Sequence, residues 1–130
     1  MAASYLLDTQ ALLWVARSPE KLGKNSRHAL QRAIGVLYSS VSIAELEVKQ
    51  LIGKIGRSEE LQALLASSEI GELPFTSKHA REISRFGTLS KHDPFDRFIV
   101  AQAAAEKCQL ITADQKLLEL AFDWIHDARE

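Results

Sequence analysis

Acidic residues stand where short apolar segments give way to helix starts: Asp8 after Tyr5-Leu6-Leu7, Glu45 after Val36-Leu37-Tyr38, Asp96 at a helix entrance, and Asp114 after Leu110-Ile111-Thr112. In an open parallel sheet such junctions fall on one edge, so acids remote in sequence can form one carboxylate cluster. Carboxylate oxygens without a cysteine or a convincing histidine pair suit Mg²⁺ or Mn²⁺ rather than zinc. His28, His79, His92 and His126 lack metal-ligand spacing and read as surface or packing residues. The expectation is a metal-dependent enzyme.

Each acid also has a purely structural reading. Asp8 can cap the first helix, because a carboxylate accepts bonds from free N–H groups and suits the positive end of the helix dipole. Glu45 completes the capping-box pattern Ser42-x-x-Glu45 and stands four residues before Lys49, so a cap or an ion pair explains it as well. Asp93 is placed as an N-cap before Pro94, whereas Asp96 lies inside the first turn beside a run that must be buried, which makes Asp96 the better ligand. Asp114 can cap a short helix or face a metal, with the Thr112 hydroxyl as a supporting group. Taken together, one shared site is more economical than separate caps that all happen to be acidic, since clustered carboxylates repel unless a cation neutralises them. Thr9, Arg97 and Lys49 lie near the acids in sequence as auxiliary groups for phosphate or ligands, against the alternative of a cap and surface charges.

The elements that must position these residues follow from periodicity. Tyr5-Leu6-Leu7 reads as a buried strand, and Thr9 can cap a helix through about Arg17 before Ser18-Pro19 stops it. A helix over Asn25 to Ile34 is closed by Gly35, and Val36 to Ser39 forms strand two. Ala44, Val48, Leu51, Ile52 and Ile55 have the spacing of one helical face, ended by Gly53 and Gly56. Further helices are expected from Ser58 to about Ala66 and from Ser77, with a strand over Ile70 to Leu73 between them. Asp93-Pro94 opens a central helix to about Glu106, followed by strand four over Gln109 to Thr112, a short helix from Asp114 to Leu120, and a last strand over Asp123 to His126. Strands alternating with helices predict a three-layer α/β/α sandwich on a mostly parallel sheet.

The 130 residues suit one domain spanning 1–130, and 46% hydrophobic with 25% charged residues excludes a disordered chain. A net charge of −1 argues against a polycationic nucleic-acid binder but leaves phosphate binding through metal ions open. The single cysteine, Cys108, cannot form an internal disulfide and reads as a buried thiol in a reducing compartment. Met1-Ala2-Ala3-Ser4 lacks signal-peptide character and no stretch is long enough to span a membrane, so a cytoplasmic protein is expected. Neither Gly53-Lys54-Ile55-Gly56 nor Gly87 to Lys91 makes a phosphate-binding loop, and Asp8-Thr9-Gln10 lacks the second aspartate of an aspartyl-phosphate hydrolase.

Four segments together resemble a known family: Leu6 to Trp14, Ser39 to Lys49, His92-Asp93-Pro94-Phe95-Asp96-Arg97 continuing to Ala103, and Leu110 to Asp114. The chain is similar to PIN-domain proteins, specifically the VapC-type toxins of toxin–antitoxin pairs, over nearly its whole length. The resemblance implies a Mg²⁺- or Mn²⁺-dependent endoribonuclease with Asp8, Glu45, Asp96 and Asp114 at the acidic positions, a homodimer, and a small DNA-binding antitoxin as partner. Asp93 is additional to that pattern. With no evident general base, metal-activated water is the economical mechanism. A non-catalytic PIN-like interaction module and a DNA-directed structure-specific nuclease are the competing readings.

Overall fold

A computed structural model describes residues 3–54, 58–89 and 93–130. Ile55 and Gly56, expected on the face and at the end of a helix, lie outside the described residues, as do His92 and the Ser90-Lys91 end of the glycine-containing stretch. The remaining chain alternates strand and helix: β1 (Ser4–Leu7), α1 (Thr9–Arg17), α2 (Lys24–Arg32), β2 (Gly35–Ser39), α3 (Ser40–Leu51), α4 (Ser58–Ala66), β3 (Gly71–Leu73), α5 (Ser77–Arg81), α6 (Pro94–Glu106), β4 (Gln109–Thr112), α7 (Gln115–Leu118) and β5 (Ile125–Asp127). A 3₁₀ segment, Ile83–Leu89, connects α5 towards α6.

The five strands form one sheet in the order β3-β2-β1-β4-β5, and every pairing is parallel. Side chains alternate across it. Leu6 and Leu110 enter the cluster that holds Phe86, Ile99, Val100 and Ala103 from the α6 side. Leu7 and Ile111 enter the opposite cluster with Ala11, Leu12, Leu46, Leu61 and Leu65 from α1, α3 and α4. A strand period of two therefore serves two helical layers at once, which is the expected α/β/α sandwich. No helix among the described residues is long and apolar enough to cross a membrane.

Five local expectations are corrected. Thr9 is the first residue of α1 rather than its cap; the cap is Asp8, in extended backbone, whose side chain accepts from the Ala11 N–H. Gly35 does not close α2: the helix ends at Arg32, and Gly35 opens β2 opposite Ser4. The cap of α3 is Ser39, so Ser42 lies inside the helix and the Ser42/Glu45 capping box does not form. The apolar face expected on α3 also points outward, with Val48 45%, Leu51 86% and Ile52 61% exposed, while Val41, Ser42, Glu45 and Leu46 are buried. The helix is rotated so that Ser42 and Glu45 face the molecule beside Val41 and Leu46, while Glu47 and Gln50 stay exposed. The short helix after β4 is Gln115–Leu118, again narrower than expected, with Asp114 as its cap.

Candidate active site

β1 lies at the centre of the sheet, and the chain proceeds from it to β2 on one side and reaches β4 on the other. The carboxyl ends of β1 and β4 are thus a topological switch point, where flanking connections diverge and leave a crevice. Asp8 follows β1 and its N–H donates to the Ile111 carbonyl at 3.0 Å; Asp114 follows β4. The first turns of α3 and α6 approach the same edge. There, Asp8, Glu45, Asp93, Asp96 and Asp114 line one cavity of about 280 Å³, with Thr9, Gln10, Leu13 and Lys49.

Asp8 is 2% exposed, and both of its oxygens are engaged. Oδ1 accepts from the Ala11 N–H at 2.8 Å, and Oδ2 accepts from the Thr112 hydroxyl. The same Thr112 oxygen accepts from the Asp114 N–H at 2.9 Å, so one fully buried threonine ties the first and last acids together. Glu45 is equally held. Its Oε1 accepts from the Thr9 hydroxyl at 2.6 Å and its Oε2 from the Lys49 ammonium at 2.5 Å. Thr9 Oγ1 also lies 2.9 Å from Ser42 Oγ. A hydroxyl carries one proton, so with Thr9 donating to the carboxylate, Ser42 donates to Thr9 and fixes its direction.

Asp93 and Asp114 are helix caps, accepting through Oδ1 from Phe95 N–H and from Lys116 and Leu117 N–H respectively. The structural and functional readings of these acids are therefore not exclusive, because a carboxylate that caps with one oxygen still presents its charge to the cavity. Asp96 stands in the first turn of α6, three residues after the capping Asp93.

The cluster is electrostatically strained. Burial, opposed by the Thr112 and Ala11 hydrogen bonds and reinforced by the charges of Asp114 and Glu45, pushes the Asp8 carboxyl up to about 6. Asp96 is pushed up to about 8 by burial, then by the charges of Asp114, Asp8 and Glu45 and a hydrogen bond with Asp114. Two carboxyl groups can share a hydrogen bond only if one carries a proton, which is how such a cluster lowers its repulsion without a cation. Burial works against the Lys49 ammonium, but Glu45 beside it, with Asp93 and Asp96 beyond, holds its pKa above the usual lysine value.

The donor set fits a hard divalent cation: among the described residues the cavity wall carries acidic oxygens and neither thiol nor imidazole. As they stand, no three acidic, histidine or cysteine side chains among the described residues are already grouped as ligands about one point; they are turned to Thr112, Thr9, Lys49 and one another instead.

All four expected acids thus share one cavity, with Asp93 beside them. Thr9 and Thr112 serve as hydrogen-bond partners of the acids. Arg97 does not line the cavity; it is half-buried, and its Nε is enclosed without a hydrogen-bond partner among the described residues. His79 is a buried packing residue bonded to Glu106 at 2.7 Å, while His28 and His126 are exposed. Cys108 is the buried free thiol expected. Sequence reasoning missed the inward role of Ser42, which has the spacing of a capping box, and did not single out the lining residues Gln10 and Leu13 within the Leu6 to Trp14 segment.

Comparison with known proteins gives one consistent answer. A family model described as PIN domain matches residues 5–123. No curated protein matches the sequence. Among solved structures, VapBC2 from Rickettsia felis bound to a promoter DNA fragment superposes with a TM-score of 0.68 at 21% identity, covering 95% of this chain and 96% of that one. VapBC-5 from Mycobacterium tuberculosis gives 0.63 at 22% identity, covering 98% and 99%. VapC20 from the same organism, described as a toxin that cleaves the sarcin–ricin loop, gives 0.60 at 13% identity, covering 91% and 95%.

Proposed function

This chain belongs to the PIN domain family, and on that footing we propose that it is a metal-dependent endoribonuclease acting as the toxin of a type II toxin–antitoxin pair. The observation that carries the proposal is the convergence of Asp8, Glu45, Asp96 and Asp114, from four separate stretches of the chain, on one cavity at the switch point of the sheet. The shared fold with VapBC complexes and with an RNA-cleaving VapC supports it. With it go a small DNA-binding antitoxin as partner, a homodimer, a single domain over residues 1–130, and a cytoplasmic location.

In this reading Asp8, Glu45, Asp96 and Asp114 hold Mg²⁺, with Mn²⁺ as substitute, and Asp93 remains chiefly the cap of α6. A bound divalent ion would lower the pKa of an attacking water and offset charge on the scissile phosphate. The chain's own work is positioning. Thr112 fixes Asp8 relative to Asp114, and the Ser42–Thr9 pair fixes one oxygen of Glu45. Thr112 ends β4, Asp8 directly follows β1, and Thr9, Ser42 and Glu45 lie on α1 and α3, so regular elements hold these groups and preserve the geometry of an in-line displacement.

The test is a comparison of substrates with purified protein and Mg²⁺. Single-stranded RNA should be cut and flap DNA left intact. Cutting of flap DNA alone would transfer the assignment to a DNA-directed nuclease, and inertness towards both would favour a non-catalytic interaction module.

A further inference from the structure

Each Glu45 oxygen already accepts one hydrogen bond and keeps a lone pair for a cation, but a cation seated on Oε2 would lie beside the Lys49 ammonium and repel it. The two bonds differ in kind. Thr9 is 7% exposed, and its hydroxyl is directed by Ser42, which is fully buried, so the bond to Oε1 belongs to the packed interior. Lys49 reaches Oε2 on a flexible stem, with 32% of its side chain exposed at the cavity wall. Displacing the ammonium costs a partly solvated ion pair, which is weak; displacing Thr9 leaves the proton of a buried hydroxyl without an acceptor, which is costly. The oxygen that yields is Oε2.

Resting on the metal-site reading above, we propose that Lys49 is a built-in counter-ion which competes with the divalent cation for Glu45, so that metal loading and release of the Lys49 ammonium are one event. Without metal, Lys49 supplies the positive charge that the acids require. With metal, it leaves Oε2 and becomes a free cation at the cavity mouth, next to where a phosphate would lie. Its i, i+4 position on α3 keeps it on that wall in both states.

Acetylation of wild-type protein by N-hydroxysuccinimide acetate, read by peptide mass spectrometry with exposed Lys24 as internal reference, tests this directly. Saturating MnCl₂ should raise the rate at Lys49 several-fold and leave Lys24 unchanged; Glu45→Gln should raise it without metal. Calorimetric titration should show Lys49→Met binding Mn²⁺ roughly 3- to 5-fold more tightly than wild type. Mn²⁺ binding with unchanged or slower Lys49 acetylation, or with unchanged affinity in Lys49→Met, overturns the counter-ion role alone. Absence of Mn²⁺ binding to wild type overturns the metal-site reading and this proposal with it.

Discussion

At the residue scale, Asp93 and Asp96 divide two roles that three positions of sequence separation leave close together. Asp93 caps α6 through Oδ1, whereas the Asp96 carboxyl is pushed up to about 8 by burial and its acidic neighbours. We predict that Asp96→Asn lowers RNA cleavage by at least about 100-fold with the fold intact, as expected of a lost ligand charge, while Asp93→Asn retains most activity because asparagine caps as well as aspartate. A cleavage assay beside circular dichroism decides it: the opposite ranking would exchange the roles. Thr112 gives a second prediction. Thr112→Val removes a buried donor to Asp8 and a buried acceptor from the Asp114 N–H, so urea unfolding should show a loss of about 1–3 kcal/mol. A neutral result would mean that the threonine does not tie the two acids. Asp114→Asn should behave differently, since asparagine keeps the cap of α7 and removes a repelling charge; in metal-free buffer its melting temperature should equal or exceed that of wild type.

At the element scale, α3 separates what the sequence reveals from what it hides. Most elements were legible: α4 and β4 have the expected bounds, and α6 begins at the expected Asp93-Pro94 entry, because each carries its own cap, stop or apolar run. The orientation of α3 was not legible. Its most regular apolar stripe is exposed while Val41, Ser42, Glu45 and Leu46 face inward, since burying Val41 and Leu46 and holding Glu45 on Thr9 at the site outweighed the local pattern. The expected capping box at Ser42 failed for the same reason, with Ser39 taking the cap and Ser42 turned to Thr9. A pair of substitutions checks the rotation. Leu51→Gln should change the unfolding free energy by no more than about 0.5 kcal/mol, whereas Leu46→Ala should cost about 2–5 kcal/mol. Similar losses at both positions in urea denaturation would return the stripe to the core.

At the scale of the whole molecule, the sandwich and its parallel sheet were readable from the alternation of elements, but the strand order that makes β1 and β4 neighbours is a long-range property, and only it brings Asp8 to Asp114. The cluster so assembled makes stability depend on pH in a definite direction. The folded-state values of about 6 for Asp8 and about 8 for Asp96 lie above that of an unfolded aspartate, about 3.9, so the folded protein binds these protons more tightly. Their contribution is fully present below about pH 4 and is lost as pH rises through about 6 and about 8. Metal-free Asp96→Asn should accordingly gain melting temperature relative to wild type between pH 5 and pH 8, and Mn²⁺ should stabilise wild type more at the higher pH, because it binds only the folded, ionised cluster. A difference between the two proteins that is independent of pH would remove Asp96 from the strained cluster. The shared metal site itself is tested most directly by cleavage of single-stranded RNA by metal-stripped protein, with and without Mn²⁺, in wild type and in folded Asp8→Asn. Cleavage should occur only in wild type and only with Mn²⁺; equal cleavage by Asp8→Asn, or cleavage by wild type that persists without metal, would contradict it.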